Sequence, residues 1–144
     1  MKLFFLFLTS LFLSTSVFAD QGISDTEILV GMHTDISGPA SMIGKQSVDG
    51  ANMRFEEFNK KGGAYGRTIK FIVEDHQYTV PRAVQASNKL LRKDKIAFML
   101  GSLGTPMNNA VMTDQLSMNV PNLFPLTAAR SMFDPFHKLK FTSG

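Results

Sequence analysis

The chain has 144 residues, 44% of them hydrophobic, no cysteine and a formal net charge of +3. Without cysteine there is no disulfide and no thiolate site, so the fold must be held by its core alone. Lys and Arg outnumber Asp and Glu by 15 to 12, but they are scattered, which excludes the basic patch of a nucleic-acid binder.

The first residues carry the strongest local signal. Met1-Lys2 is a short positive start, and Leu3 to Leu13 is an apolar run broken only by Thr9 and Ser10. Val17-Phe18-Ala19 then offers Val and Ala at the positions a signal peptidase reads. The run is shorter than the ~20 residues that span a bilayer. Residues 1–19 are therefore expected to be a signal peptide cleaved after Ala19, sending the chain to the periplasm. Asp20, where a lipid anchor would need Cys, argues against a lipidated form. The remaining 125 residues suit one domain with a core, and loss of Lys2 lowers the charge from +3 to +2.

Glu27 to His33 is a short apolar run that predicts a buried strand, followed by the turn-rich Thr34 to Pro39. Ser41 to Lys61 predicts a helix with Val48, Ala51, Phe55 and Phe58 on one face, stopped by Gly62-Gly63. Arg67 to Glu74 alternates and predicts a strand nearer an edge. Pro81 suits a helix first turn, and Ala83, Val84, Ser87, Leu90 and Leu91 form a stripe to about Lys93. Ile96 to Leu100 predicts a central strand buried on both faces. After Gly101 to Pro106, a helix is expected to Met118, then a strand over Val120 to Leu126 interrupted by Pro121 and Pro125. A loop with a helical turn follows, and Lys138 to Thr142 begins one more strand. Strands alternating with helices predict an α/β fold, an open parallel sheet with helices on both faces in three layers.

Open α/β sheets bind ligands beyond the C-terminal ends of their strands. That rule selects the loops Thr34 to Gly44, Asp75 to Val80, Gly101 to Pro106 and Pro125 to Arg130. In the third, Gly104 permits close backbone approach, Thr105 can cap the helix or offer its hydroxyl, and helix-start N–H groups favour a carboxylate. An ordinary βα turn has the same composition, and both readings stand. Met42 and Ile43 follow Ser37-Gly38-Pro39, where they either overhang a ligand or pack in the core.

Enzyme motifs are missing from the sequence: no G-x-S-x-G elbow, no phosphate-binding lysine loop and no G-x-G-x-x-G. His33, His76 and His137 lack metal-ligand spacing, so no metal or cofactor is expected. Glu74-Asp75-His76 resembles an acid/base cluster, but neighbours along a strand point to opposite faces and do not converge. The many Met and Phe residues are read as core filling.

In register over most of the chain, several segments resemble one family. They are Ile28-Leu29-Val30-Gly31 with Ser37-Gly38-Pro39, Asp49-Gly50-Ala51, Phe58-Asn59-Lys60-Lys61-Gly62-Gly63 with Gly66-Arg67, and Glu74-Asp75. Pro81-Arg82-Ala83-Val84, Asn88-Lys89-Leu90-Leu91, Gly101 to Pro106, Val120-Pro121, Pro125 and Phe141-Thr142 continue the match. The chain is similar to the N-terminal lobe of the type I periplasmic solute-binding proteins of ABC transporters, in the leucine/isoleucine/valine-binding branch.

The resemblance implies a non-catalytic receptor that closes two lobes on a small amino acid and delivers it to a membrane permease. It implies ligand contacts at Leu103, Gly104 and Thr105 and at Leu126, Thr127 and Ala128. Thr105 and nearby N–H groups would hold the α-carboxylate, and carbonyls with the Thr127 hydroxyl would meet the ammonium or the carboxylate. The family often has Thr one place after Thr127, where this chain has Ala128. That departure keeps amides, urea and other small polar solutes among the candidates. Residues 20–144 are expected to be the first lobe, ending before the second. The alternatives are a ligand-sensing ectodomain of the same fold and a secreted α/β hydrolase.

Overall fold

The computed structural model describes residues 21–142, so the expected signal peptide lies outside the described residues. Its elements run β1 (Glu27–Thr34), α1 (Ser41–Lys60), β2 (Thr68–Asp75), α2 (Val80–Asn88), β3 (Phe98–Leu100), α3 (Thr105–Ser117), β4 (Asn122–Leu123) and β5 (Lys140–Phe141). The sheet is wholly parallel, in the order β2-β1-β3-β4-β5. The α/β parallel architecture expected from the alternating pattern is present. β1 and β2 pair along their whole length, from Glu27 opposite Thr68 to Thr34 opposite Asp75.

From β1 the chain moves outward to β2, then doubles back over β1 to β3 and onward to β5. Right-handed crossovers then put α1 on one face and α2 with α3 on the other. On the first face Phe55 meets Phe71 edge-on at 5.3 Å between ring centroids. Val48, Ala51, Phe55 and Phe58 are the α1 residues expected to face inward, and each is half-buried. On the second face α2 packs on α3, and Leu90, Leu91, Ile96, Met99 and Val120 form the buried core with Leu29, Ile72 and Met118 against it. The stripe of α2 differs by one turn position from the expected one: Ala83, Ala86 and Ser87 are buried, whereas Val84 is exposed. α2 passes into a π-helical turn at Lys89–Lys93, which carries Leu90 and Leu91 into that core.

Two strands are shorter than the apolar runs suggested. Ile96 is fully buried but precedes β3, and β4 keeps only Asn122 and Leu123, two of the three residues between Pro121 and Pro125. Proline has no N–H for the ladder, so the strand cannot extend through either one. At the opposite end of the sheet from the helix starts, Gln21 Nε2 donates to the carbonyls of Leu91 (3.3 Å) and Ile96 (3.2 Å), and the Leu29 N–H donates to the Gly22 carbonyl (2.8 Å). Among the described residues no helix is long and apolar enough to cross a membrane.

Candidate ligand-binding site

Because the strands are parallel, the loops after β1, β2, β3 and β4 all open at one end of the sheet. β1 and β3 are neighbours whose chains leave in opposite directions, and this reversal point is where open α/β sheets take ligands.

The loops after β3 and β4 are zipped together. The Leu126 N–H donates to the Ser102 carbonyl (2.9 Å), and the Gly104 N–H donates to the Leu126 carbonyl (3.3 Å). These bonds carry the β3–β4 ladder past the strand ends, with Leu103 opposite Leu126. Just beyond that pair, Thr105 and Thr127 face each other with their hydroxyls in hydrogen-bond contact. One hydroxyl donates to the other, which leaves one hydroxyl proton for an acceptor from outside. Thr105 is the first residue of α3, whose opening N–H groups receive no acceptor from the helix itself, a setting that favours a carboxylate.

The cap expected of Thr105 is not made: the cap position is Gly104, with no side-chain hydrogen bond. Asn108, one turn on, instead donates from Nδ2 to the carbonyls of Ser102 and Gly104, both at 2.9 Å, and so fixes the loop from below. Gly104 has φ +95°, and a Cβ there would stand 2.2 Å from Met107 Cε and 3.2 Å from the Tyr78 ring. The bare backbone is what lets Tyr78 lie across the loop.

The first loop is shaped by two carboxylates. Asp35 accepts from the N–H groups of Gly38 (2.5 Å) and Ala40 (2.7 Å). Asp75 accepts from the N–H groups of Ile36 (2.9 Å) and Gln77 (3.0 Å) and from the Ser37 hydroxyl (2.6 Å). Burial would raise the Asp75 pKa, but the Ser37 and backbone bonds outweigh it and hold the carboxyl below its ordinary range. Glu74, Asp75 and His76 point three ways, to Lys89, to the first loop and to Leu103, and form no acid/base cluster.

His33 and His76 are fully buried beneath the loops, with ring centroids 5.5 Å apart. Among the described residues neither ring nitrogen of His33 has a partner. Burial, then the charge of His76, lowers its pKa to about 3, so it is neutral at physiological pH. His76 Nδ1 accepts from the Tyr78 N–H (3.0 Å), which puts the proton on Nε2, and Nε2 donates to the Leu103 carbonyl (3.1 Å).

The structure thus ties Leu103, Gly104, Thr105, Leu126 and Thr127 into one unit. It gives Ala128 no such tie. Met42 and Ile43 stand exposed in the first turn of α1, at 72% and 49%, and are not core residues. Asp35, Asp75, His76 and Tyr78 lie in loops that the strand-end rule selects but have no individual role from the sequence, and Asn108 lies outside those loops. The available signals were an Asp ahead of S-G-P and an H-x-Y step between a strand and Pro81.

Known proteins share this arrangement of loops on a parallel sheet. The model of a periplasmic binding protein family matches residues 27–134. A Leu/Ile/Val-binding protein of Rhizobium johnstonii is 26% identical over 118 residues, 79% of this chain and 31% of that protein. A substrate-binding periplasmic protein of Ralstonia solanacearum is 27% identical with a TM-score of 0.73, over 81% of this chain and 33% of that one. A fatty acid ABC transporter substrate-binding protein of Thermomonospora curvata is 31% identical with a TM-score of 0.65, over 72% of this chain and 26% of that one. The chain spans less than a third of the length of the curated relatives it matches. Since the matched residues take in β1 to β4 and all four loops at their ends, the chain belongs to the periplasmic binding protein family.

Proposed function

We propose that this chain is the jaw of an exported solute receptor that grips the carboxylate end of a small amino acid such as leucine, isoleucine or valine. The observation that carries the reading is the Thr105–Thr127 hydroxyl pair at the start of α3. It presents a free hydroxyl proton beside unsatisfied helix N–H groups, which is the donor set a carboxylate needs. The carbonyls of Leu103 and Leu126 each accept one bond already and retain a second lone pair for an ammonium. The Leu/Ile/Val-binding protein of R. johnstonii supports the amino-acid class.

In this reading a second lobe closes over the ligand by a hinge, apolar walls choose the side chain, and the loaded receptor meets an ABC transporter permease. Residues 1–19 direct export to the periplasm and are removed after Ala19. The role is non-catalytic. Both nitrogens of His76 are engaged by Leu103 and Tyr78, so this imidazole is not available to activate a threonine hydroxyl as a nucleophile.

Amide NMR shifts under titration with L-leucine test the reading and remain measurable at weak affinity. Shifts confined to Leu103 to Met107 and Leu126 to Ala129, lost in Thr105→Ala, are expected. Shifts there with a fatty acid but not with leucine would reassign the ligand class. No shift with leucine, isoleucine, valine, a small amide or a fatty acid would end the receptor reading for this chain.

A further inference from the structure

We propose that His76 is a positioning residue of the ligand jaw: as the neutral imidazole it clasps the Tyr78 loop to the Leu103–Thr105 loop, and acidification opens the clasp. The proposal rests on the receptor reading for its ligand, but the clasp itself can be tested without one. Its basis is a pair of hydrogen bonds with opposite demands. Nδ1 accepts from the Tyr78 N–H at 3.0 Å, and Nε2–H donates to the Leu103 carbonyl at 3.1 Å. Only the neutral ring with its proton on Nε2 can make both bonds. The imidazolium carries a proton on Nδ1 as well, and that proton points at the Tyr78 N–H.

The two bonds hold the parts of the site that the strands do not reach. Leu103 is a ligand-loop residue whose N–H already donates to the His33 carbonyl (3.3 Å), and His76 holds its carbonyl from the other side. Tyr78, at φ +55°, is set across Gly104 by the turn that His76 closes, with its ring centroid 6.3 Å from the imidazole. Thr79 completes that turn, donating from its N–H (2.9 Å) and its hydroxyl (3.2 Å) to the His76 carbonyl.

The groups that face His76 decide how it titrates. From β1 comes His33, which is itself buried and neutral and so brings no charge to the His76 ring. From the loop after β1 comes Asp35, and from the end of β2 comes Asp75; both favour the charged ring. Their oxygens are occupied by the N–H groups and the hydroxyl of the first loop. The buried residues of α2, Ala83, Ala86 and Ser87, are uncharged, and the loop Gly101 to Gly104 has no titratable side chain. Burial outweighs the carboxylates, so the ring is harder to protonate than a free histidine. The clasp is therefore shut at neutral pH and opens below the ordinary histidine range.

The chain supplies its own reporter. It contains no Trp and two Tyr, and Tyr65 is fully exposed, so Tyr65→Phe leaves Tyr78 as the single strong fluorophore. In that background Tyr78 emission is followed from pH 8 to pH 5, with far-UV dichroism to verify that the fold persists. Long-range nitrogen–proton NMR reads the tautomer of His76. We expect the Nε2–H form at pH 7.5, and one reversible change in Tyr78 emission with a midpoint below 6.5 that is absent in H76Q. If H76Q does not fold, H76N serves, since its Oδ1 can still accept from Tyr78 without titrating. With L-leucine, affinity is expected to fall at least tenfold between pH 7.5 and 5.0 in the parent and to stay flat in the variant. The Nδ1–H tautomer, or an emission transition that survives in the variants, overturns the proposal. Absence of leucine binding at pH 7.5 counts against leucine as the ligand and not against the clasp, which the tautomer and emission results then decide.

Discussion

Gly44→Ala and Gly50→Ala add the same methyl group to the same helix, and the structure expects them to move stability in opposite directions. A Cβ at Gly44 would stand 1.8 Å from the Asp35 carbonyl oxygen and 2.9 Å from Thr34 Oγ1. At Gly50 it would meet nothing within 4 Å. Alanine is favoured over glycine inside a helix by about 0.8–1 kcal/mol, so Gly50→Ala should stabilise by up to that amount. Gly44→Ala gains the same propensity but must part α1 from β1's exit by about 1.5 Å to restore ordinary contact. The neighbour is backbone, and it cannot swing aside, because Asp35 is tied to Gly38 and Ala40. Overpacking of this kind costs roughly 1–3 kcal/mol or more, which exceeds the propensity gain. Urea unfolding followed by far-UV dichroism measures both. For a slope of about 1–3 kcal/mol per molar, the Gly44→Ala midpoint should fall by several tenths of a molar or more, and the Gly50→Ala midpoint should rise. A Gly44→Ala midpoint at or above the parent's would refute the packing of α1 on the first loop.

Other predictions concern the buried titratable groups and the threonine pair. The His33 pKa of about 3 lies below the unfolded value of 6.5, so its stabilisation is complete above pH 6.5 and declines as pH falls toward 3. At pH 5 the loss is about 2 kcal/mol, from 1.5 pH units at 1.36 kcal/mol each. His33→Leu should flatten the change in urea midpoint between pH 7.5 and 5.0, and an unaltered slope would remove His33 as its source. Asp75→Asn keeps one acceptor oxygen for three donors and should cost about 1–3 kcal/mol, read as a lower Tm; an unchanged Tm would count against this anchor. Thr105→Ala should weaken leucine binding by a similar 1–3 kcal/mol, and full affinity in the variant would take Thr105 out of the site.

Periodicity made much of the fold legible because it reports burial directly. The α1 face was readable from Val48, Ala51, Phe55 and Phe58, and the edge position of β2 from its alternating pattern. What periodicity overstated was strand length. Val120 to Leu126 is apolar apart from Asn122, yet the prolines within it leave a two-residue strand. The Thr105–Thr127 pairing was reachable only through family resemblance, since residues 22 positions apart meet by a ladder that runs on after the strands end. His76 and Tyr78 were passed over for a different reason. Their roles depend on a ring nitrogen accepting from a main-chain N–H and on a tyrosine at positive φ, and neither leaves a spacing in the sequence.

The residues pinned at the far end of the sheet give the molecule a polarity along its strands. Gly22 is fastened beside Leu29, while the candidate ligand loops begin beyond Thr34, five residues further along β1. At about 3.3 Å per residue that separates the two by on the order of 15–20 Å of rigid strand. A dye, purification handle or surface linker joined ahead of Gln21 would therefore leave those loops unobstructed. Immobilised by that end, the protein would present the loops after β1 to β4 outward to whatever solution flows over it.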